Sequence, residues 1–430
     1  MHIKIAKGRV IDPVNNYDAV NDLYICDGKI SAIGSPPAGF NPQRLIDASG
    51  YVVCPGLIDL SARLREPGYE YKATLESEMC AAVAGGVTSM ACPPDTDPVL
   101  DEPGLVEMLK HRARTLNQAH VYPIGALTMG LKGQTLTEMA ELTDAGCIAF
   151  SHADAAFTNN QVLYRAMQYA ATFNFTVWLR PQDAHIGSDG VVHDGEIATR
   201  LGLPAIPPLS ETIALSTIIS LARETGVRLH ICRLSTASGI KMVNMARHEG
   251  MQITCDVSAQ HVHLCEQDIG YFNSHFHLAP PLRSITDRDA IRASLANGEI
   301  DAICSDHTPV DEDAKLLPFS QSEAGATGLE LLLPLSLKWA REMNRNLVDA
   351  LGLITCSPAK ILGIDAGSLN IGKPADLCIF DPELLWRVTP STLVSQSKNT
   401  PFLDMDMQGR VVYTLMEGSV VYETCKGGLP

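Results

Sequence analysis

The sequence predicts an α/β protein: a (β/α)8 TIM barrel that carries a small β-sandwich domain built from both chain ends. Three observations carry that expectation. Short apolar runs with the length of buried strands recur eight times through the middle of the chain. Segments of helical period lie between them, and eight strand-then-helix units in succession are the signature of a parallel barrel, whose functional groups stand at the C-terminal strand ends. The two ends of the chain read differently, as short alternating strands broken by turn residues. A doubly wound open sheet is the competing arrangement on periodicity alone.

Residues 1–53 are the first part of the expected sandwich. The stretch "MHIKIAKGRVIDPVNN" alternates apolar and polar residues without a long apolar core, so it reads as a strand rather than a signal peptide. Turns are expected at "DPVNN" and "CDGK". Residues 54–363 are the expected barrel. Its strands are read at 52–60, 86–92, 120–127, 147–150, 176–179, 228–232, 252–257 and 301–304. Leu75, Met79 and Val83 mark a helix after the first strand, and Ile213, Leu215, Ile218, Ile219 and Leu221 mark another over 209–225. Residues 364–430 return to short alternating strands around "GKPADLCIFDP" and "MQGRVVYTLMEGSVVYE". Neither tail has enough strands to fold well by itself, so the two are expected to pair.

Composition narrows the function classes. With 430 residues, 46% hydrophobic and 19% charged, the chain is globular and long enough for one large domain and a smaller one. No apolar run reaches the roughly 18 residues of a membrane span. The 12 cysteines are scattered, mostly in apolar runs, with no C-x-x-C pair, which suits buried thiols of a cytoplasmic protein. A formal net charge of -16 and the lack of a basic run speak against nucleic acid as a partner.

The stretch "GLIDLSARLREPG" at 56–68 has an apolar run leading into a charged turn, as expected where a buried strand reaches a site rim. With it come "GGVTS" and "DTDP" (85–89, 95–98), "LHIC" and "LST" (229–236), "PPLR" (280–283), "SDHTP" (305–309), "GLELLLPL" (328–335) and "GKPADLCIFDP" (372–382). Together these motifs resemble the dihydroorotase family of the amidohydrolase superfamily, nearly end to end. The resemblance implies a barrel mouth holding two zinc ions that activate a hydroxide toward the cyclic amide of dihydroorotate.

The positions that resemblance assigns to metal ligands hold other residues. Its first-strand His-x-His falls on Ser61 and Arg63, and its fourth-strand ligand near His152 and Ala153 in "FSHAD". Its fifth- and sixth-strand histidines fall on Arg180 and Arg233, and its eighth-strand aspartate is kept as Asp306. A guanidinium has no free lone pair and stays charged, so it cannot ligate a cation. The substrate positions change too: Arg65 is kept, but Asp95 and Ala279 replace asparagines and Val310 replaces a histidine. An aspartate where a substrate carboxylate docks is expected to repel it. The expectation is a vestigial pocket without catalytic residues, metal or cofactor, in which Arg63 or Arg233 pairs with Asp306. His152, His307, His261 and His263 are read as core or packing histidines rather than ligands.

Among relatives of this kind, the resemblance implies a non-catalytic dihydroorotase-like chain that assembles with aspartate carbamoyltransferase in pyrimidine biosynthesis, and a homo-oligomer. Two alternatives stay open: a residual amidohydrolase using one metal or none with Asp306 as general base, and an anionic-metabolite-binding protein using an Arg-lined mouth.

Overall fold

Alternation decides how the first strand is used. In β1 (His2–Asp12) the side chains of Ile3, Ile5 and Val10 are buried in one small core, while Lys7 and Arg9 face solvent. β1 is followed by β2 (Tyr17–Cys26), β3 (Lys29–Ile33), β4 (Arg44–Asp47) and β5 (Val52–Pro55). A computed structural model describes residues 1–424; residues 425–430, the end of the expected second tail, lie outside the described residues.

The barrel wall follows as β6 (Leu57–Asp59), β7 (Val87–Cys92), β8 (His120–Ala126), β9 (Ala149–Ser151) and β10 (Thr176–Leu179). After a two-residue pair, β11 (Val192–His193) with β12 (Ala205–Ile206), come β13 (Arg228–Ile231), β14 (Ile253–Ser258) and β15 (Ala302–Cys304). Strand order runs β6 to β10, then β13 to β15, with every neighbouring pair parallel. The circle is nearly closed. β15 and β6 share no ladder, but beyond their ends Ala62 bridges to His307, with Arg63 N donating to His307 O at 2.9 Å and His307 N to Ser61 O at 3.0 Å.

The helices between strands form where the sequence supplies caps and an apolar stripe. Thr74 accepts from Ser77 N to start Leu75–Ala84, and the buried Leu75, Met79 and Val83 lie on one face of that helix. The helix Pro208–Thr225 begins on a proline and stops at Gly226, whose φ of 69° an L side chain rarely adopts. The main core lies between this helical ring and the wall.

The tails do pair. β16 (Leu377–Arg387), β17 (Asp406–Met416) and β18 (Ser419–Glu423) join β1 to β5 in one eight-stranded sheet through β16 and β5, where Leu377 faces Pro55 and Phe380 faces Val52. A separate small core takes residues from both ends of the chain, including Leu23, Ile46, Leu377 and Leu415. One expectation needs correction: the run 52–60 is two strands, not one. Val52–Pro55 belongs to the tail sheet and Leu57–Asp59 to the barrel. Burial on both sides hides the break from periodicity.

Candidate functional site

The strand ends gather at one face of the barrel. β6 leads to Ser61 and Arg63, β7 to Asp95, β9 to His152, Ala153 and Asp154, β10 to Arg180, β13 to Arg233 and β15 to Asp306. Arg65, Ala153, Arg233 and Asp306 have left-handed φ values of 61, 49, 53 and 46°. For non-glycine residues this costs on the order of 1–3 kcal/mol each and persists only where neighbouring contacts hold it.

Those contacts are ion pairs. Arg63 Nε donates to Asp95 Oδ2 and its Nη2 to Asp154 Oδ2, both at 2.7 Å, while its Nη1 donates to Thr308 Oγ1 at 3.0 Å and lies 3.5 Å from Asp306 Oδ1. Arg233 Nη1 donates to Asp306 Oδ1 at 2.9 Å and to Ala279 O at 3.3 Å, and its Nη2 pairs with Asp154 Oδ1. Arg180 Nε donates to Asp154 Oδ1 at 2.7 Å, and its Nη2 to Gln182 Oε1. Three guanidinium groups thus meet three carboxylates, and the formal charges balance. Asp306 is paired with Arg233 and lies near Arg63, as expected from the sequence.

Burial sets the protonation of the cluster. It pushes the Asp154 carboxyl up, but Arg233, Arg63 and Arg180 outweigh it and hold the group well below the usual carboxylate range. Asp306 goes the other way, because burial raises it more than Arg233 and Arg63 lower it. Burial alone would lower the Arg63 guanidinium, yet Asp154 and Asp95 raise it above its ordinary value.

Two expectations about these residues change. The sequence left Asp306 as the one carboxylate kept at a ligand position, whereas Asp154 is the hub of the mouth. The residue after a strand normally alternates faces, and the left-handed turn at Ala153 breaks that alternation, so the carboxylate arrives one position later than expected. The sequence also gave Asp95 as a lone repulsive charge, whereas it is the partner of Arg63. Position 279 contributes only its backbone, through Ala279 O. Arg65 turns away from the cluster, donating from Nε to Pro309 O at 2.8 Å and approaching Glu323 at 3.9 Å. Val310 is buried, with its N–H on Asn399 Oδ1.

The histidines bond protein groups, although His263 Nδ1 is buried without a hydrogen-bond partner. His152 bonds Thr128 Oγ1 at 3.0 Å and Ala155 O at 2.8 Å and stacks on Phe157. His307 Nδ1 accepts from Gly328 N at 3.1 Å, so its Nε2 carries the proton donated to Glu78 Oε2 at 2.6 Å. His261 bonds Ser258 Oγ and Pro281 O, and His263 bonds Leu335 O.

The positions a binuclear zinc site would use do not fit it. Four of them are hydroxyl or guanidinium side chains, and the carboxylates of Asp154 and Asp306 are spent on those guanidinium groups. A different trio has suitable donors among the described residues: His230, Cys232 and Asp256, whose ligand atoms lie within 4.8 Å of one another. His230 lies in β13, Cys232 just beyond its end, and Asp256 in the neighbouring β14. The trio's atoms are already engaged, with Asp256 Oδ2 on His230 Nε2 at 3.0 Å and Asp256 Oδ1 on Arg233 N at 2.6 Å. Burial pushes the Cys232 thiol well above its ordinary value, and so keeps it protonated. The sequence did not show this trio, because only the parallel pairing of β13 with β14 brings Asp256 beside His230 and Cys232. A cleft of about 200 Å³ opens beside the cluster, lined by Asp154, Arg180, Gln182, His277, Ala279 and Arg283 among others.

The barrel, its tail sheet and the mouth at the strand ends define an amidohydrolase-type fold. Among solved structures, an L-hydantoinase (dihydropyrimidinase) from Arthrobacter aurescens superposes with a TM-score of 0.88 at 24% identity, covering 100% of this chain and 97% of that one. A D-hydantoinase structure superposes with a TM-score of 0.83 at 20% identity over 98% of this chain and 95% of that one. At sequence level, the family model described as dihydro-orotase-like matches residues 50–239. A "Dihydroorotase-like protein" of Pseudomonas aeruginosa is 44% identical over 98% of this chain and 100% of its own length. Another so named from Pseudomonas putida is 43% identical over 98% of this chain and 99% of its own. A "Dihydroorotase" of Geobacter sp. (strain M21) is 39% identical over 98% of this chain and 100% of its own. The chain belongs to the dihydroorotase-like family.

Proposed function

We propose that this chain is a catalytically inactive, cytoplasmic, dihydroorotase-like subunit of pyrimidine biosynthesis that acts as a scaffold for aspartate carbamoyltransferase. One observation carries the reading: Arg63, Arg180 and Arg233, at the positions where the resemblance implies metal ligands, are neutralised by Asp95, Asp154 and Asp306. Cations of the protein fill the place of cations from solution, and the fold that surrounds them is kept. Site and fold are separable in this way. The distinct name shared by the two Pseudomonas relatives, dihydroorotase-like rather than dihydroorotase, agrees with it.

A second reading, residual amide hydrolysis with one metal, is favoured by the His230, Cys232 and Asp256 trio. The metabolite-binding reading loses support because the guanidinium charges already have carboxylate partners. The test is to purify the chain with and without zinc, assay dihydroorotate turnover, and co-express it with an aspartate carbamoyltransferase catalytic chain for analytical ultracentrifugation. No turnover and a single faster-sedimenting complex are expected. Zinc-dependent turnover that Cys232→Ser abolishes supports the second reading. Absence of a complex at micromolar concentration removes the scaffold role.

A further inference from the structure

Two neighbouring helices of the outer ring carry almost no charge. They are Asn160–Thr172 and Pro208–Thr225, which pack side by side. Other helices of the ring are charged where they meet solvent: Pro103–Leu116 has Glu107, Arg112 and Arg114, and Ile285–Ala296 has Arg288, Asp289 and Arg292. Along 208–222, by contrast, the one charged residue is Glu211, which is buried and accepts from Ser235 N and Thr236 N. In Asn160–Thr172 it is Arg165, which donates to Gln168 Oε1 at 2.8 Å. In a chain of net charge -16 this leaves a neutral face about four helical turns long.

The same face is apolar where it projects. Leu209 and Ile213 are 53% and 39% exposed, and their spacing puts them on one stripe with the exposed Ser216 and Ser220. The hydroxyls on the face are turned inward. Thr212, Thr217 and Ser220 donate to the carbonyls of Leu209, Ile213 and Ser216 on their own helix, and Thr172 donates to Gln168 O. Removing water from these groups therefore breaks few hydrogen bonds. Between the helices a groove of about 150 Å³ stays open, its helix side lined by Leu163, Ala214, Thr217 and Ile218. The face thus carries projections and a recess together, as a surface must if it is to fit its own copy.

We infer that a second copy of the chain docks on this face, with a two-fold axis passing through the stripe from Leu209 to Ser220. Charge is the argument for a copy rather than a different protein. In such an interface each patch meets itself, so a charge near the axis faces its own like. The acidic surface of this chain works against contacts between copies, and the neutral face is free of that penalty. A different partner would be steered and selected by opposite charge, which the face does not offer. Two helices about 10 Å wide, the longer about 27 Å long, present on the order of 500 Å² per copy, near the lower limit of specific interfaces. The dimer is therefore expected to dissociate on dilution. It does not depend on the scaffold role, which needs a different protein.

The test is sedimentation equilibrium of the whole chain from nanomolar to high-micromolar concentration, where a monomer–dimer equilibrium is expected. Ser216→Asp and Ser216→Lys each set a charge on the stripe, and each alone is expected to raise the dimer Kd by roughly tenfold or more. Mixed one to one, the two variants are expected to recover the dimer, because Asp then faces Lys across the axis. Tyr271→Asp, at a residue 85% exposed on the loop after β14, is expected to dimerise as wild type does. Circular dichroism checks that each variant is folded. If either Ser216 variant does not fold, Ile213→Asp and Ile213→Lys take the place of the pair. Wild type that stays monomeric over the whole range overturns the inference. So do Ser216 variants that dimerise like wild type, which place the contact elsewhere, and a mixture that stays monomeric, which rules out a face meeting itself.

Discussion

At Arg233 burial and pairing set the sign of any substitution. The side chain is 5% exposed and holds Asp154 and Asp306 together. Arg233→Met keeps much of the volume but takes a partner from two carboxylates, which keep Arg63 and, for Asp154, Arg180, so the cost falls below the roughly 3–5 kcal/mol of breaking a buried pair outright and is on the order of 2 kcal/mol. Urea unfolding is expected to show a loss of that order. Adding Asp306→Asn to Arg233→Met is expected to cost less than the two single losses summed, since both act on one network. The same network opposes restoration of chemistry. Ser61→His with Arg63→His supplies two imidazoles but leaves Arg180 and Arg233 in place, so no zinc-dependent dihydroorotate turnover is expected from the purified double variant. Turnover above the wild-type background contradicts this. The arginines and Asp306 were legible because each sits on a motif with a fixed offset from its strand. Asp154 was not, since the left-handed φ of Ala153 is a tertiary outcome that alanine does not advertise.

At the scale of elements, one glycine explains where sequence reading blurred. Gly56 lies between β5 and β6, where the chain passes from the tail sheet into the barrel, and its N–H reaches Asp376 O at 2.8 Å. A Cβ there would stand 2.0 Å from Thr88 Oγ1 and 2.4 Å from Thr88 Cγ2. Gly56→Ala is expected to destabilise the fold by about 1–3 kcal/mol through overpacking. Thr88→Ala in the same chain is expected to recover part of that, read from paired thermal midpoints. The eight barrel strands were visible as apolar runs because parallel strands are buried on both faces. For the same reason no change of pattern marks the passage of 52–60 from one sheet to the other. The tails were legible because their alternation is the mark of strands with one dry face, and β16 meets β5 as their shortage of strands required.

For the whole molecule, the strongest consequence of burying so many polar side chains is its response to acid. Burial lowers His261, His263 and His277 from the ordinary 6.5 to about 4. A histidine that is neutral in the fold and free to charge when unfolded gives the unfolded chain more bound protons between those values. Stability is therefore complete above about pH 6.5 and is lost as pH falls toward 4, by up to about 1.4 kcal/mol per pH unit for each histidine. Among the carboxylates Glu330 works against this, because burial raises it to about 7, so it takes up a proton in the fold as pH falls and offsets about one histidine's share. Burial raises the buried Glu78, but His307 and Ser395 outweigh it and place the group below 4.5, so its contribution is lost only at lower pH. Asp154 behaves alike, and Asp306, raised by burial, opposes the trend by taking up a proton as pH falls. Urea unfolding at steps from pH 7 to pH 5 is expected to show a steady fall in stability. His277 stacks on Phe319 with ring centres 5.1 Å apart, so a phenyl ring suits its place. His277→Phe is expected to fall less steeply than wild type over the same range, by one histidine's share. A profile that stays flat from pH 7 to pH 5 contradicts the neutral, buried state of these three rings.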